Sequence, residues 1–124
     1  MKKFKSKISF KDSRGIISDL IENENINAVT LITIKKNAVR GNHFHKKTWQ
    51  WNYIISGTMK LVTQKKNGKI RTTLLKQGDL ALVAPYEKHA LIGKKFCKCL
   101  VFTKGPRGGK EYESDTFRLE KKLS

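Results

Sequence analysis

A chain of 124 residues has room for one ordinary hydrophobic core and not for two. Its 38% apolar content is gathered into runs dense in Ile, Leu and Val, which excludes a wholly disordered chain, and no run approaches the ~20 residues needed to cross a bilayer. The net charge of +17 is mostly lysine, since only five of the 27 basic residues are arginines (Arg14, Arg40, Arg71, Arg107 and Arg118). Nucleic-acid modules gather charge on one face and mix in arginine and aromatic readers, so this scatter reads as a solvated surface and no nucleic-acid partner is expected. A field of this sign still draws in a small anion such as a nucleotide diphosphate. The basic start, MKKFKSKISFKD, lacks the apolar centre of a signal peptide, and a cytoplasmic location is expected.

In chain order, residues 4–10 alternate with Phe4, Ile8 and Phe10 on one parity, the period of a half-buried strand. KDSRG at 11–15 reads as a turn, 16–21 as extended, and 22–27 as a loop or one short helical turn. AVTLITIK at 28–35 is the strongest core strand on β-propensity, and 35–37 forms a turn. The next stretch, Arg40 to Gly57, places His43 and His45 two residues apart, so on a strand both imidazoles leave the same face. From Trp49 to Ser56 the parity separates Trp49, Trp51, Tyr53 and Ile55 from Gln50, Asn52, Ile54 and Ser56. TMKLVTQ follows Gly57. Asn67-Gly68 then signals a type I′ hairpin, with KIRTTLL as its returning strand. Gly78-Asp79 turns the chain into LALVA, and the third histidine, His89, falls in the turn-rich stretch Gly78–Ala90.

FCKCLVFT at 96–103 is the last strong strand. Cys97 and Cys99 share one of its faces, a poor disulfide geometry, and are expected to be buried core thiols. The tail from Gly105, GPRGGKEYESDTFRL, is a glycine-rich loop and a polar stretch expected to lie across the body or a partner subunit. It lacks the context of a P-loop. Nine or ten short strands and no convincing helix predict an all-β, antiparallel sandwich or barrel, with residues 1–124 forming a single domain.

Gly41, His43, His45, Gln50 and Gly57, followed by Gly78 and His89, resemble the two motifs of the cupin superfamily. Glutamine stands where the first motif usually has glutamate. In the second motif Ala84 and Tyr86 replace its proline and glycine, with Pro85 between them. The resemblance implies a cupin-type antiparallel β-barrel (double-stranded β-helix, or jelly roll). A narrower likeness lies in Arg40-Gly41-Asn42-His43-Phe44-His45-Lys46 with Gln50, and in Asp12-Ser13-Arg14-Gly15. These are similar to the small dTDP-sugar 3,4-ketoisomerases and the related dTDP-4-dehydrorhamnose 3,5-epimerases. That likeness implies an isomerase or epimerase of keto-deoxy sugar nucleotides in polysaccharide biosynthesis, working as a homodimer.

Two chemistries compete for these side chains. In the first, which needs no cofactor, His43 and His45 are acid and base beside an acidified C–H of a 4-keto sugar nucleotide. Arg40, Lys46 or Gln50 would steady the enediolate, Tyr53 or Tyr86 would return a proton, and Arg14 or Arg107 would hold the diphosphate. Trp49 or Trp51 could stack on the base, although their parity points them away from Gln50; sheet packing or a dimer surface suits them and Tyr53 better. In the second, His43, His45, Gln50 and His89 ligate Zn²⁺, Ni²⁺ or Fe²⁺, with the dication uncompensated by any carboxylate. A non-catalytic sugar-binding cupin is a third reading, since the fold alone does not choose.

Overall fold

The computed structural model describes residues 1–5 and 8–124. Among these, the chain forms β1 (Lys2–Lys5), β2 (Ile8–Asp12), β3 (Gly15–Ser18), β4 (Ala28–Ile34), β5 (Val39–Phe44), β6 (Trp49–Ser56) and β7 (Thr58–Gln64). There follow β8 (Arg71–Lys76), β9 (Asp79–Val83), β10 (Lys88–Gly93), β11 (Cys97–Lys104), the short helix α1 (Gly109–Ser114) and β12 (Phe117–Arg118). One sheet has the order β1-β9-β6-β11-β4, the other β12-β5-β10-β7-β8, and β2-β3 is a separate hairpin. All pairings are antiparallel.

From β4 onward successive strands change sheet, except at the β7-β8 hairpin, which is the jelly-roll pattern. The all-β jelly roll is as expected; its sheets stay separate, so of the two forms the strand pattern allows it is the sandwich, with open edges at β4 and β8, and not the closed barrel. Its core draws on both layers: Ile34, Ile54, Cys97, Cys99 and Val101 meet Met59, Leu61, Leu75 and Leu91. The thiols are free and buried as expected, and burial, with Cys97 beside it, pushes Cys99 up to about 12. The crossing between β6 and β7 requires glycine. Gly57 has φ +84°, and a Cβ there would meet the Phe96 carbonyl oxygen at 2.0 Å.

Several local expectations change. The strand expected over 4–10 is split between β1, which pairs with β9, and β2, which pairs with β3; Ser6 and Lys7 lie outside the described residues. The β7–β8 turn is not type I′, which needs two positive φ values. Asn67 has φ 58° and Gly68 does not follow it; the Gly68 N–H donates to the Lys65 carbonyl at 2.8 Å within a longer loop. His89 sits on a strand, β10, where the sequence reads as turn-rich. The tail forms α1, whose residues carry no strand alternation to announce them.

Candidate active site

β5 and β10 are paired with His89 directly opposite His43, and the register shifts immediately afterwards. Gly41, at φ +88°, lets β5 close on β10, since a Cβ there would stand 3.0 Å from the His89 carbonyl oxygen. His45 follows the end of β5 on the same parity as His43. The three rings cluster, with centroids 4.6 Å apart for His43–His89, 4.8 Å for His43–His45 and 5.3 Å for His45–His89. One ring nitrogen from each lies within 4.8 Å of the others.

Hydrogen bonds fix two of the tautomers. His45 Nδ1–H donates to the Asp115 carbonyl at 2.8 Å, and His89 Nδ1–H donates to the Glu87 carbonyl at 3.1 Å. A carbonyl oxygen only accepts, so both rings carry the proton on Nδ1 and leave Nε2 bare. The His45 Nε2 is buried without a hydrogen-bond partner among the described residues. Burial is the largest influence on all three rings. It pulls His43 down to about 3, helped by His89, His45, Arg118 and Arg107, and His89 down to about 4. It also lowers His45, although the Asp115 carbonyl and carboxylate push the other way. At neutral pH the cluster is three uncharged imidazoles.

Asp115 ties this cluster to the tail. Its carboxylate accepts from the Lys46 N–H at 3.0 Å, the Lys47 N–H at 3.1 Å and the Thr48 hydroxyl at 2.6 Å. Burial alone would raise its pKa, but the Thr48 hydroxyl and the two N–H groups outweigh it and hold the carboxyl below the usual range. The start of the tail is fastened too. Asn27 Nδ2–H donates to the Gly105 carbonyl at 2.7 Å, and the Gly105 N–H donates back to Asn27 Oδ1 at 3.1 Å.

Between these anchors the tail crosses a cavity of about 430 Å³. Its polar lining includes His43, His89, Gln50, Asn52, Arg40, Arg107 and Tyr112, against an apolar wall that includes Leu31 and Ile32 of β4. His45, only 3% exposed, stands behind this lining. Arg40 is aimed by its Nε–H, which donates to the Thr33 carbonyl at 3.2 Å. The Arg107 guanidinium lies 4.3 Å over the Tyr112 ring, whose centroid is 5.7 Å from His45 and 6.4 Å from His43.

The three histidines, Gln50 and Arg40 therefore converge as the sequence predicts, and Arg107 joins them. The other candidates do not. Tyr53 is on the opposite parity of β6 from Gln50 and Asn52, between Leu80 and Leu100 on the outer face, and does not line the cavity. The Lys46 ammonium lies outside, 4.3 Å over the Phe117 ring. Arg14, at the tip of the β2-β3 hairpin, donates from Nη2 to Asp12 Oδ2 at 2.6 Å and does not line the cavity. Tyr86 is exposed on the surface. Trp49 and Trp51 share the outer face with Lys104, as their parity requires. Asn52, Tyr112 and Asp115 were not singled out from the sequence. Asn52 shares the parity of Gln50 and could have been; the other two depend on how the tail folds back.

A two-sheet jelly roll carrying His43 and His89 on adjacent strands, His45 just past the end of one of them, and an inward glutamine has the architecture of a cupin. Among proteins, the chain belongs to the polysaccharide biosynthesis C-terminal domain family, whose model matches residues 10–87. Solved structures share the fold across nearly the whole chain. The sugar 3,4-ketoisomerase QdtA from Thermoanaerobacterium thermosaccharolyticum, in complex with TDP, superposes with a TM-score of 0.78 at 22% identity over 96% of this chain and 88% of that one. The TDP-quinovose 3,4-ketoisomerase WlaRB from Campylobacter jejuni gives 0.79 at 17% identity, covering 95% and 92%. The dTDP-4-dehydrorhamnose 3,5-epimerase from Sulfolobus tokodaii gives 0.74 at 16% identity, covering 92% and 73%. A curated relative, oxalate decarboxylase OxdC of Bacillus subtilis, is 34% identical over 56 residues, which is 45% of this chain and only 14% of that enzyme's length.

Proposed function

We propose that this cupin isomerises or epimerises a keto-deoxy sugar nucleotide by proton transfer at its histidine cluster. The observation that carries the reading is a group of uncharged imidazoles, with bare ring nitrogens, at a cavity flanked by the cations of Arg40 and Arg107. A carbon beside a ketone yields its proton to such a base. The electron pair moves onto the carbonyl oxygen as an enediolate, and the proton returns to the other face or the neighbouring carbon. His43 meets the substrate, and His45 behind it completes the proton-transfer pair. Arg40 and Arg107 hold the diphosphate or the enediolate charge, and Gln50 and Asn52 bind sugar oxygens. The fold likeness to ketoisomerases and an epimerase described as TDP-linked supports this substrate class.

The test is incubation with dTDP-4-keto-6-deoxyglucose and related substrates in deuterated water, followed by NMR. Deuterium is expected beside the ketone, and His43→Asn is expected to slow its incorporation by about 10²–10⁴-fold, the usual worth of a positioned acid or base. No incorporation across the panel overturns the reading.

The mutual spacing of the ring nitrogens supports a second reading, in which His43, His45 and His89, with Gln50, hold Zn²⁺, Ni²⁺ or Fe²⁺. Such an ion would polarise a substrate oxygen. Elemental analysis of protein purified without chelators is expected to show near-stoichiometric metal in that case, lost in His89→Ala; metal-free protein with full activity excludes it.

A homodimer is part of the proposal. The β2-β3 hairpin exposes Ile8, Phe10, Ile16 and Ile17, and the free edge strand β4 exposes Val29 and Leu31 next to the cavity wall. These faces suit a second copy of the chain. Light scattering of the purified protein measures it directly. The domain reading likewise stays with one unit, and no helix among the described residues is long and apolar enough to cross a membrane.

A further inference from the structure

Outside the cavity, on the other side of β5, three aromatic rings are arranged as a ladder. Phe117 and Phe44 are stacked with centroids 5.3 Å apart and planes 22° from parallel, and Phe44 and Tyr86 follow at 6.4 Å and 23°. Lys46 caps the Phe117 end, with its ammonium 4.3 Å from the ring centroid. The Tyr86 end is open: that residue is 57% exposed and borders a surface cavity of about 270 Å³ lined also by Phe44, Gln64, Lys65, Lys66 and Lys88. None of Lys46, Lys65, Lys66 or Lys88 is in an ion pair among the described residues.

Tyr86 occupies the place where the second cupin motif has glycine, and its φ is +68°. Glycine adopts that conformation freely, whereas a bulky side chain does so at a cost of about 1–3 kcal/mol. Its N–H donates to the His45 carbonyl at 2.6 Å, which holds the backbone there and projects the ring outward. The fold therefore keeps an unfavourable residue where an unstrained one would serve. Strain of this kind is expected where a side chain has a task that packing does not supply.

We infer that Tyr86, Phe44 and the lysines around them form a second binding site, for an anionic oligosaccharide. The apolar face of a pyranose stacks on an open aromatic ring, and acidic sugars present carboxylates that lysine ammonium groups neutralise without needing a fixed fork geometry. Arginine, which reads base edges bidentately, is absent from this lining, so the surface suits a sugar acid better than a nucleic acid. The site lies apart from the histidine cavity and does not depend on its chemistry.

The test is calorimetric titration with tetragalacturonate at about 0.15 M salt, where loose surface adsorption is screened. Maltotetraose and a thymidine tetranucleotide serve as the neutral and nucleic-acid comparisons. Saturable binding of tetragalacturonate is expected, at least tenfold tighter than either comparison. Tyr86→Gly should weaken it about tenfold, the scale of one lost aromatic contact, while relieving the backbone strain, so that the melting temperature does not fall. Lys65→Gln with Lys88→Gln should weaken it similarly, as a check that does not touch the strained residue. Absence of binding, tighter binding of the tetranucleotide, or unchanged affinity in Tyr86→Gly would each overturn the assignment; the last would mean adsorption by charge alone.

Discussion

Asp115→Ala is expected to destabilise the protein by about 2–4 kcal/mol, the scale of losing a set of hydrogen bonds to a charged acceptor and leaving a buried hydroxyl unpaired. The carboxylate is 3% exposed and is the acceptor for the Lys46 and Lys47 N–H groups and the Thr48 hydroxyl. Truncation strands the buried Thr48 hydroxyl and takes the acceptor from the Lys46 and Lys47 N–H groups, whose bonds are part-buried. Asp115→Asn keeps the volume and one acceptor oxygen, and should cost roughly 1–2 kcal/mol. Denaturant unfolding measures both. The same substitution has a local signature. The His45 ring is held by the main-chain carbonyl of residue 115, which survives in either variant but stays in place only if the clamp on 46–48 persists. Ring ¹⁵N chemical shifts should show His45 losing its uniform Nδ1–H tautomer in Asp115→Ala and keeping it in Asp115→Asn. Equal stability of Asp115→Ala and wild type would mean that the carboxylate is not a structural clamp.

The histidine cluster was legible because period-2 geometry is local. Two histidines at i and i+2 must share a strand face, and Gly41 and Gly57 mark where the flanking backbone bends. The pairing that sets His89 opposite His43 is not local, and only the motif resemblance pointed to it. The parity of β6 separated Gln50 from Tyr53 correctly, so that pattern already spoke against a cavity role for Tyr53. Tyr112 and Asp115 gave no such signal. They sit in a glycine-rich tail without periodicity, and their significance comes from contacts across about 70 residues of chain, such as the bond from His45 to the Asp115 carbonyl. The exposed Ile16 and Ile17 were read only as extended structure, because alternation identifies a face without saying whether anything covers it. Separate sheets in place of a closed barrel follow from edge pairing, which strand propensity does not encode.

Stability should fall steeply as pH is lowered from 6.5 towards 4, beginning above the range in which carboxylates titrate. His89 and His43 have an ordinary value of 6.5 and are held in the fold at about 4 and about 3, chiefly by burial. In that window the unfolded chain binds protons that the folded chain refuses, so unfolding stability rises with pH. The contribution is fully present above 6.5 and is lost as pH drops below it, down to the folded values. At about 1.4 kcal/mol per pH unit, His89 alone accounts for about 3 kcal/mol by pH 4. His43, facing the cavity, adds a smaller share because solvent screens it. Asp115 acts in a different range. Its carboxyl is lowered from 3.8, so its stabilisation is present above that value and fades only below it. Urea unfolding at pH 7, 6, 5 and 4.5 separates the two. The wild type should lose about 2–3 kcal/mol across the series, and His89→Asn, which removes the proton-binding ring, should show a visibly flatter curve. Parallel curves for the two proteins would show that His89 is not held neutral by burial, and would take away one of the three uncharged imidazoles on which the proposed proton transfer relies.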